Sequence, residues 1–220
     1  MSEEKSKNNK RYETEWSFSF EQIGESINKA IGSLGEEPKK ENFAAALEGA
    51  TSARIVVGGS VGRTSIVALE SSSENLFEAE LSHLGEMEFT VTGDTEKVIT
   101  LQPKRSQDIG GPIRRALGQI GKNQDLYTRV RISANIPVYL ELNSGIGPCE
   151  FDLAELQLTG LKVDGGVGPT RLDLPSTERV YNVEVDGGVG PVTINAPSST
   201  HVQLELEGGV GPSTLNIPAD

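Results

Sequence analysis

Three textures of apolar and polar positions follow one another along the chain. Residues 1 to about 15 mix charges with no apolar period and read as a disordered tail. From Phe20 the apolar residues Ile23, Ile27, Ile31 and Leu34 fall at steps of three and four, with Glu21, Glu25 and Lys29 on other faces. That spacing predicts an amphipathic helix ending near Gly32 or Gly35, docked on the protein's own core. With its linker the segment covers 16–42. Its polar face is balanced in charge, unlike the Lys/Arg-rich face of an interfacial membrane helix. Trp16, Phe18 and Phe20 alternate ahead of it and are expected as an extra strand or a cover on one end of the core. The Ala-rich stretch Phe43 to Leu47 predicts a further turn or two of helix.

From Ala53 the period changes to two. Alternating, β-branched runs predict strands at Arg54–Val57, Thr64–Leu69, Leu76–Leu81, Met87–Thr92 and Lys97–Leu101, which form a first β half over 43–102. A basic connecting loop with Lys104, Arg105, Arg114, Arg115 and Lys122 spans 103–125. Strands at Leu126–Ser133 and Val138–Leu142 open the second half, 126–220.

That second half is a repeat. Ser144-Gly145-Ile146-Gly147-Pro148, Gly165-Gly166-Val167-Gly168-Pro169, Gly187-Gly188-Val189-Gly190-Pro191 and Gly208-Gly209-Val210-Gly211-Pro212 recur every 21 or 22 residues. Counted from the last glycine, positions minus seven and minus five hold Leu140/Leu142, Leu161/Val163, Val183/Val185 and Leu204/Leu206. Positions plus four and plus six hold Phe151/Leu153, Leu172/Leu174, Ile194/Ala196 and Leu215/Ile217. At minus one stand Ile146, Val167, Val189 and Val210, expected as a fifth buried column. The same count from Gly62 finds Ile55, Val57, Val61, Ile66 and Ala68, a degenerate copy with Arg63 in the proline place. Units of this length cannot bury their own apolar face and must stack. Each is expected to be a strand, a glycine turn and a second strand. Gly62, Gly147, Gly168, Gly190 and Gly211 supply the positive φ, and Pro148, Pro169, Pro191 and Pro212, lacking an N–H, open the second strand. The fold class is therefore all-β, a β-solenoid-like stacked repeat with an N-terminal amphipathic helix.

Leu47-Glu48-Gly49-Ala50-Thr51-Ser52-Ala53-Arg54 leading into Val57-Gly58-Gly59-Ser60-Val61-Gly62 carries a resemblance, as do Ile136 to Leu142 and Leu156 to Leu161 before the first two regular glycine turns. Over roughly Phe43 to Pro218 the chain resembles the bacterial toast-rack domains, as in the C-terminal region of LiaF-like cell-wall-active antibiotic response proteins. Turns in that family tend to read Gly-Ala-Gly-Glu, where this chain has Gly-Val-Gly-Pro. The resemblance implies a non-enzymatic scaffold or sensor in cell-envelope stress signalling, with no catalytic residues to carry over. A protein partner is expected, including a membrane-bound signalling protein.

Composition narrows the chemistry. The formal charge of -12 excludes a phosphate-tracking basic surface, so no nucleic-acid partner is expected. The glycine turns run into proline and a second strand rather than Gly-Lys-Ser/Thr and a helix, which excludes a P-loop. Calcium-binding nonapeptide rolls need an aspartate where Thr170, Val192 and Ser213 stand. Cys149 falls in that same column and reads as a small sheet residue, while His83 and His201 have no metal-ligand or dyad spacing and read as surface or edge histidines. No catalytic residue, cofactor, metal or small-molecule substrate is expected.

The acids are not evenly spread. Residues 141–220 hold twelve acids and three bases, so nine of the twelve net negative charges lie there. Asp164, Asp186 and Glu207 share one outward column, and Glu141, Glu184 and Glu205 share another that Lys162 interrupts. Asp164, Asp186, Glu207, Glu184 and Glu205 are the candidate partner-binding residues, facing a basic protein. A solvated face that resists edge pairing and a divalent cation site are the rival uses of the same columns. The second functional reading is a structural or adhesin-like module that self-assembles through its terminal strands as a homo-oligomer. With no apolar run long enough for a membrane span or a signal peptide, the expected location is the cytoplasm, the inner face of the membrane included; were the sequence a piece of a longer protein, an extracellular location stays open.

Overall fold

The computed structural model describes residues 38–104 and 126–218. The disordered tail, the helix expected after Phe20 and nearly all of the basic loop lie outside these residues. Every regular element among the described residues is a strand. In chain order they are β1 (Lys39–Ala46), β2 (Ser52–Val57), β3 (Arg63–Ala68), β4 (Asn75–His83), β5 (Met87–Thr92), β6 (Glu96–Pro103), β7 (Tyr127–Ile132) and β8 (Pro137–Asn143). They continue as β9 (Cys149–Asp152), β10 (Gln157–Asp164), β11 (Thr170–Asp173), β12 (Tyr181–Asp186), β13 (Val192–Asn195), β14 (Val202–Glu207) and β15 (Ser213–Asn216).

Two sheets enclose one core. One runs β1-β4-β7-β3-β9-β11-β13-β15 and the other β14-β12-β10-β8-β2-β6-β5. The regular copies are the rungs β8/β9, β10/β11, β12/β13 and β14/β15, each contributing one parallel strand to either sheet. The degenerate copy is β2/β3, in the register that the residue count requires: Ile55 faces Leu140, Val57 faces Leu142 and Ile66 faces Phe151. A sixth rung carries no glycine motif. In β6/β7, Ile99 and Leu101 lie beside Ile55 and Val57, and Val130 and Ile132 beside Ile66 and Ala68. Its strands are joined by residues 104–126 instead of a tight turn, which is why the repeat count passes over it.

The alternation within each strand puts Ile55, Ile66, Leu140, Phe151, Leu172 and Val183 at or near zero exposure between the sheets. Burying one such side chain contributes roughly 1.5–3 kcal/mol. One end of this core is capped. The strands β4 and β5 pair antiparallel with β7 and β6, and β1 pairs antiparallel with β4. Phe89 closes over Phe43 and Phe77, with ring centroids 5.0 and 5.8 Å away. The buried Lys97 ammonium donates to the Ala46 carbonyl at 2.8 Å and to Glu48 Oε2 at 2.9 Å, tying the β1–β2 turn, where Glu48 holds φ 45°, to the stack.

The Ala-rich segment is strand β1, not helix. Phe43 and Ala45 face inward and Asn42 and Ala44 outward, and pairing with β4 overrides alanine's helical preference. The strand begins at Lys39, inside the segment expected as helix linker.

The expected fifth column is not core. Val167, Val189 and Val210 are 43, 47 and 62% exposed, and Ile146 is half-buried. These residues do stack, through single parallel bridges running Val61–Ile146–Val167–Val189–Val210. They sit at the rim where the chain passes from one sheet to the other, between glycines whose backbones close the space beneath. A side chain at that corner has only solvent to enter.

Two glycine columns make the rim possible. Gly62, Gly147, Gly168, Gly190 and Gly211 have φ between +112° and +149°, a region in which side chains are strained. A Cβ on Gly147, Gly168 or Gly190 would also strike the carbonyl of the glycine one rung away. In the second column a Cβ on Gly166 would strike the Gly145 carbonyl, and one on Gly188 the Gly166 carbonyl. The prolines that follow accept rather than donate: the amides of Thr64, Cys149, Thr170 and Val192 donate to the carbonyls of Pro148, Pro169, Pro191 and Pro212 at 2.9–3.0 Å.

Two substitutions one turn apart separate rim from core. Val189→Asp should leave the urea midpoint nearly unchanged, within about 0.5 kcal/mol, whereas Ile194→Asp should unfold the protein by burying an unpaired charge. Equal losses for the two would overturn the placement of the rim. Gly168→Ala should cost at least about 2 kcal/mol, since strain and backbone displacement add.

Candidate functional site

Parallel register turns sequence columns into physical ones. On the outer face of the seven-stranded sheet, Glu141, Lys162, Glu184 and Glu205 lie side by side, and beside them run Asn143, Asp164, Asp186 and Glu207. Neighbouring strands in a sheet are about 4.8 Å apart, so like charges in one column repel. Two cations within the face offset this. Arg54 donates to Glu141 Oε2 at 2.8 Å while its guanidinium lies 5.0 Å from the centre of the Tyr139 ring. A Cβ on Gly160 would come within 2.8 Å of that ring, so the glycine leaves room for the tyrosine.

Lys162 does more than interrupt its column. Its Nζ lies 3.8 Å from Asp164, 3.8 Å from Glu184 and 3.5 Å from Asp186, joining both columns and two rungs. Asp164 first and then Asp186 push its ammonium above the usual lysine range. Asp164 itself is pushed up, chiefly by burial, with Lys162 opposing and Asp186 and Glu141 adding. Glu205 and Glu207, on the last rung, are exposed and have no ion-pair partner among the described residues. Of the five candidate residues, three share one lysine and two are unpaired. The column pattern shows Lys162 as a break; its reach across strands depends on side-chain length and register.

The opposite sheet carries pairs of another kind. Arg63 meets Glu150 at 2.8 Å, and Arg171 grips Asp173 through Nε at 2.9 Å and a terminal nitrogen at 3.0 Å. The Asn195 amide donates to Asp173 at 2.6 Å, and the Asn216 amide to Asn195 at 2.8 Å, a short side-chain ladder along three rungs.

Other reactive types are held apart. Cys149 is buried in register with Thr64, Thr170 and, through them, Val192 and Ser213, and burial pushes its thiol up, away from the nucleophilic thiolate. His201 is exposed and bonds the Thr177 carbonyl. His83, expected at the surface or an edge, is instead buried at the end of β4, with Nε2 3.3 Å from Glu41 but not aligned for a hydrogen bond. Among the described residues, no group of three or more His, Cys, Asp or Glu is placed to hold a metal ion. No helix among them is long and apolar enough to cross a membrane.

These features define an all-β module of stacked repeats. The chain belongs to the toast-rack family: the model of the N-terminal domain of toast-rack, DUF2154, matches residues 34–195. A crystal structure from Clostridium sporogenes ATCC 15579, of a protein provisionally assigned to cell adhesion, superposes with a TM-score of 0.66 at 19% identity, covering 83% of this chain and 100% of that one. A protein provisionally assigned as an adhesin, from Bacteroides fragilis NCTC 9343, gives a TM-score of 0.33 at 12% identity over 83% of this chain and 98% of that one. Comparison with curated proteins gives no match.

The charge arrangement has a definite pH signature. Lys162, with its raised pKa, stabilises throughout neutral pH and loses that effect only as pH rises through the raised value. Asp164, a carboxyl raised on folding, acts oppositely: its ionisation costs stability, and the cost is relieved as pH falls through its folded pKa. Lys162→Gln should therefore lower the thermal midpoint at pH 7 and lower it less at pH 4, where Asp164, its carboxyl pushed up, has begun to take up its proton and attracts the ammonium less. An equal loss at both pH values would show that Lys162 acts through packing alone.

Proposed function

We propose that the protein works without catalysis, as a scaffold or sensor module that receives a basic protein partner on the outer face of the seven-stranded sheet. The observation that carries this reading is the spacing of Asp164, Asp186, Glu207, Glu184 and Glu205. Both columns carry a carboxylate on each of the last two rungs, with Asp164 one rung further in, and on a parallel ladder this spacing matches a row of Lys or Arg displayed along an extended segment. Calcium favours six to eight oxygens converging on a point, which two straight columns do not readily offer. Lys162 neutralises the inner part of the face, so the attraction is strongest at Glu205 and Glu207.

Family membership supports a non-enzymatic role, and the toast-rack resemblance supports a setting in bacterial cell-envelope stress signalling. A location at the inner face of the membrane, beside a membrane-bound signalling protein, suits that setting. The adhesion assignment of the Clostridium protein supports the same general class, a module that acts by contact.

A twelve-residue peptide of alternating lysine and serine is a direct probe. It should bind with micromolar affinity at low salt, and more weakly as salt screens the charges. Changing Glu184, Glu205 and Glu207 together to Gln should weaken it about tenfold without lowering the thermal midpoint. Peptide binding indifferent to these changes would refute the reading. So would stoichiometric calcium binding, measured by calorimetry and abolished by the same changes, which would assign the face to a cation.

A further inference from the structure

The two ends of the stack are built differently. At one end the reversed pair β4/β5, strand β1 and the Phe43–Phe89–Phe77 cluster close the core. At the other, β14/β15 repeats the plan of the inner rungs, yet nothing among the described residues covers it. Leu215 and Ile217 are 49 and 59% exposed, while their counterparts one rung inward, Ile194 and Ala196, are 1 and 5% exposed.

Backbone pairing stops at the same place. Gly190, Val192 and Ala196 donate their amides to the carbonyls of Val210, Pro212 and Asn216 at 2.8–3.0 Å. The matching amides of Gly211, Ser213 and Ile217 have no acceptor among the described residues. The side-chain ladder is cut at the same level, since Asn216 donates to Asn195 but its own amide oxygen receives no donor there.

We propose that this open rung is an interaction surface, and that its occupant is the same rung of a second copy of this chain. The occupant must present two free strand edges about 10 Å apart with apolar side chains between them, which is the separation of packed sheets. The open rung has that form itself. The opposite end does not, because its aromatic cluster already seals the core behind β1 and β5. A self-complementary contact made by one end only gives a closed two-fold dimer and no fibre. This differs from assembly through both terminal strands, which needs two adhesive ends.

Charge selects the arrangement. Laying β14 on its own copy would set Glu205 and Glu207 against identical residues. A two-fold axis along the strands instead lays β14 against the partner's β15, antiparallel, because consecutive strands of a rung run in opposite directions in the two facing sheets. The outward neighbours of the glutamates are then Thr214 and Asn216 of the partner subunit, and the inward layer is Leu204, Leu206, Leu215 and Ile217 of both copies. The proposal is independent of the basic-partner reading.

Sedimentation equilibrium of the full chain, from about 1 to about 500 μM, tests it together with hydrogen exchange over the same range. The expected result is a monomer–dimer equilibrium in the micromolar range, in keeping with a narrow contact, with protection of residues 202–217 rising with concentration. Leu215→Glu with Ile217→Glu should shift the dimer constant at least about tenfold. Val91→Glu, at the capped end, should leave it unchanged. Neither set of changes buries a charge in the monomer, so both variants should fold. A monomer throughout would overturn the proposal, as would species growing past the dimer. Protection of 202–217 that is independent of concentration would also overturn it, assigning the cover to the chain's own residues 1–37.

Discussion

The separation of about 4.8 Å between paired strands governs this molecule, because it is imposed at the turns as well as in the sheets. At the rim the backbone of one rung lies directly on the carbonyls of the next, and a single Cβ would occupy the place of a neighbour's oxygen. Glycine is therefore dictated twice, by conformation at Gly147, Gly168 and Gly190 and by space at Gly145, Gly166 and Gly188. Once turns stack at strand spacing, register has no freedom. A slip by one residue would turn the entire apolar set of a strand outward. Core columns, charge columns and the asparagine ladder all follow from that locked register.

Because the register is locked, the sequence alone yields the stacked rungs, the four inner apolar columns and the membership of the acidic columns. What it could not yield depends on three-dimensional position. An aliphatic residue between two turn glycines looks like a core residue until the turn is seen as a corner, where Val167 and Val189 have no interior to enter. Strand β1 has alanines at successive positions and no alternation to separate strand from helix; its pairing with β4 decides. The rung β6/β7 lacks the glycine signature and is identified only by the neighbours that Ile99 and Val130 acquire. Lys162 is visible as a break in one column, but its approach to Asp186 in another depends on two strands lying side by side.

Electrostatics here is a consequence of translation symmetry imperfectly applied. Perfect repetition of a carboxylate would place every charge beside its own image. The chain breaks the repetition where rungs are surrounded, with Arg54 at Glu141 and Lys162 at Asp164, Glu184 and Asp186. At the last rung, where solvent reaches on one more side, Glu205 and Glu207 keep the repetition without a counter-charge. The same departure recurs in the other sheet, where the Asp152 and Asp173 column changes to Asn195 and Asn216, replacing repulsion by amide hydrogen bonds.

The order of rungs in space is not their order in the chain: β2/β3 lies between β6/β7 and β8/β9. This divides the history of the chain into two regimes. From β10 onward each new rung is laid on the one made just before it, so order can spread one unit at a time over short loops. Strand β2, by contrast, finds its two partners in β6 and β8, at least some forty residues later, and the intervening chain must first go out to the cap and return. As the polypeptide leaves the ribosome, β2/β3 therefore stands with both flanks unpaired until β6 and β7 have emerged and with one flank still open until β8 and β9 follow, and only then does one half of the molecule become the template for the other.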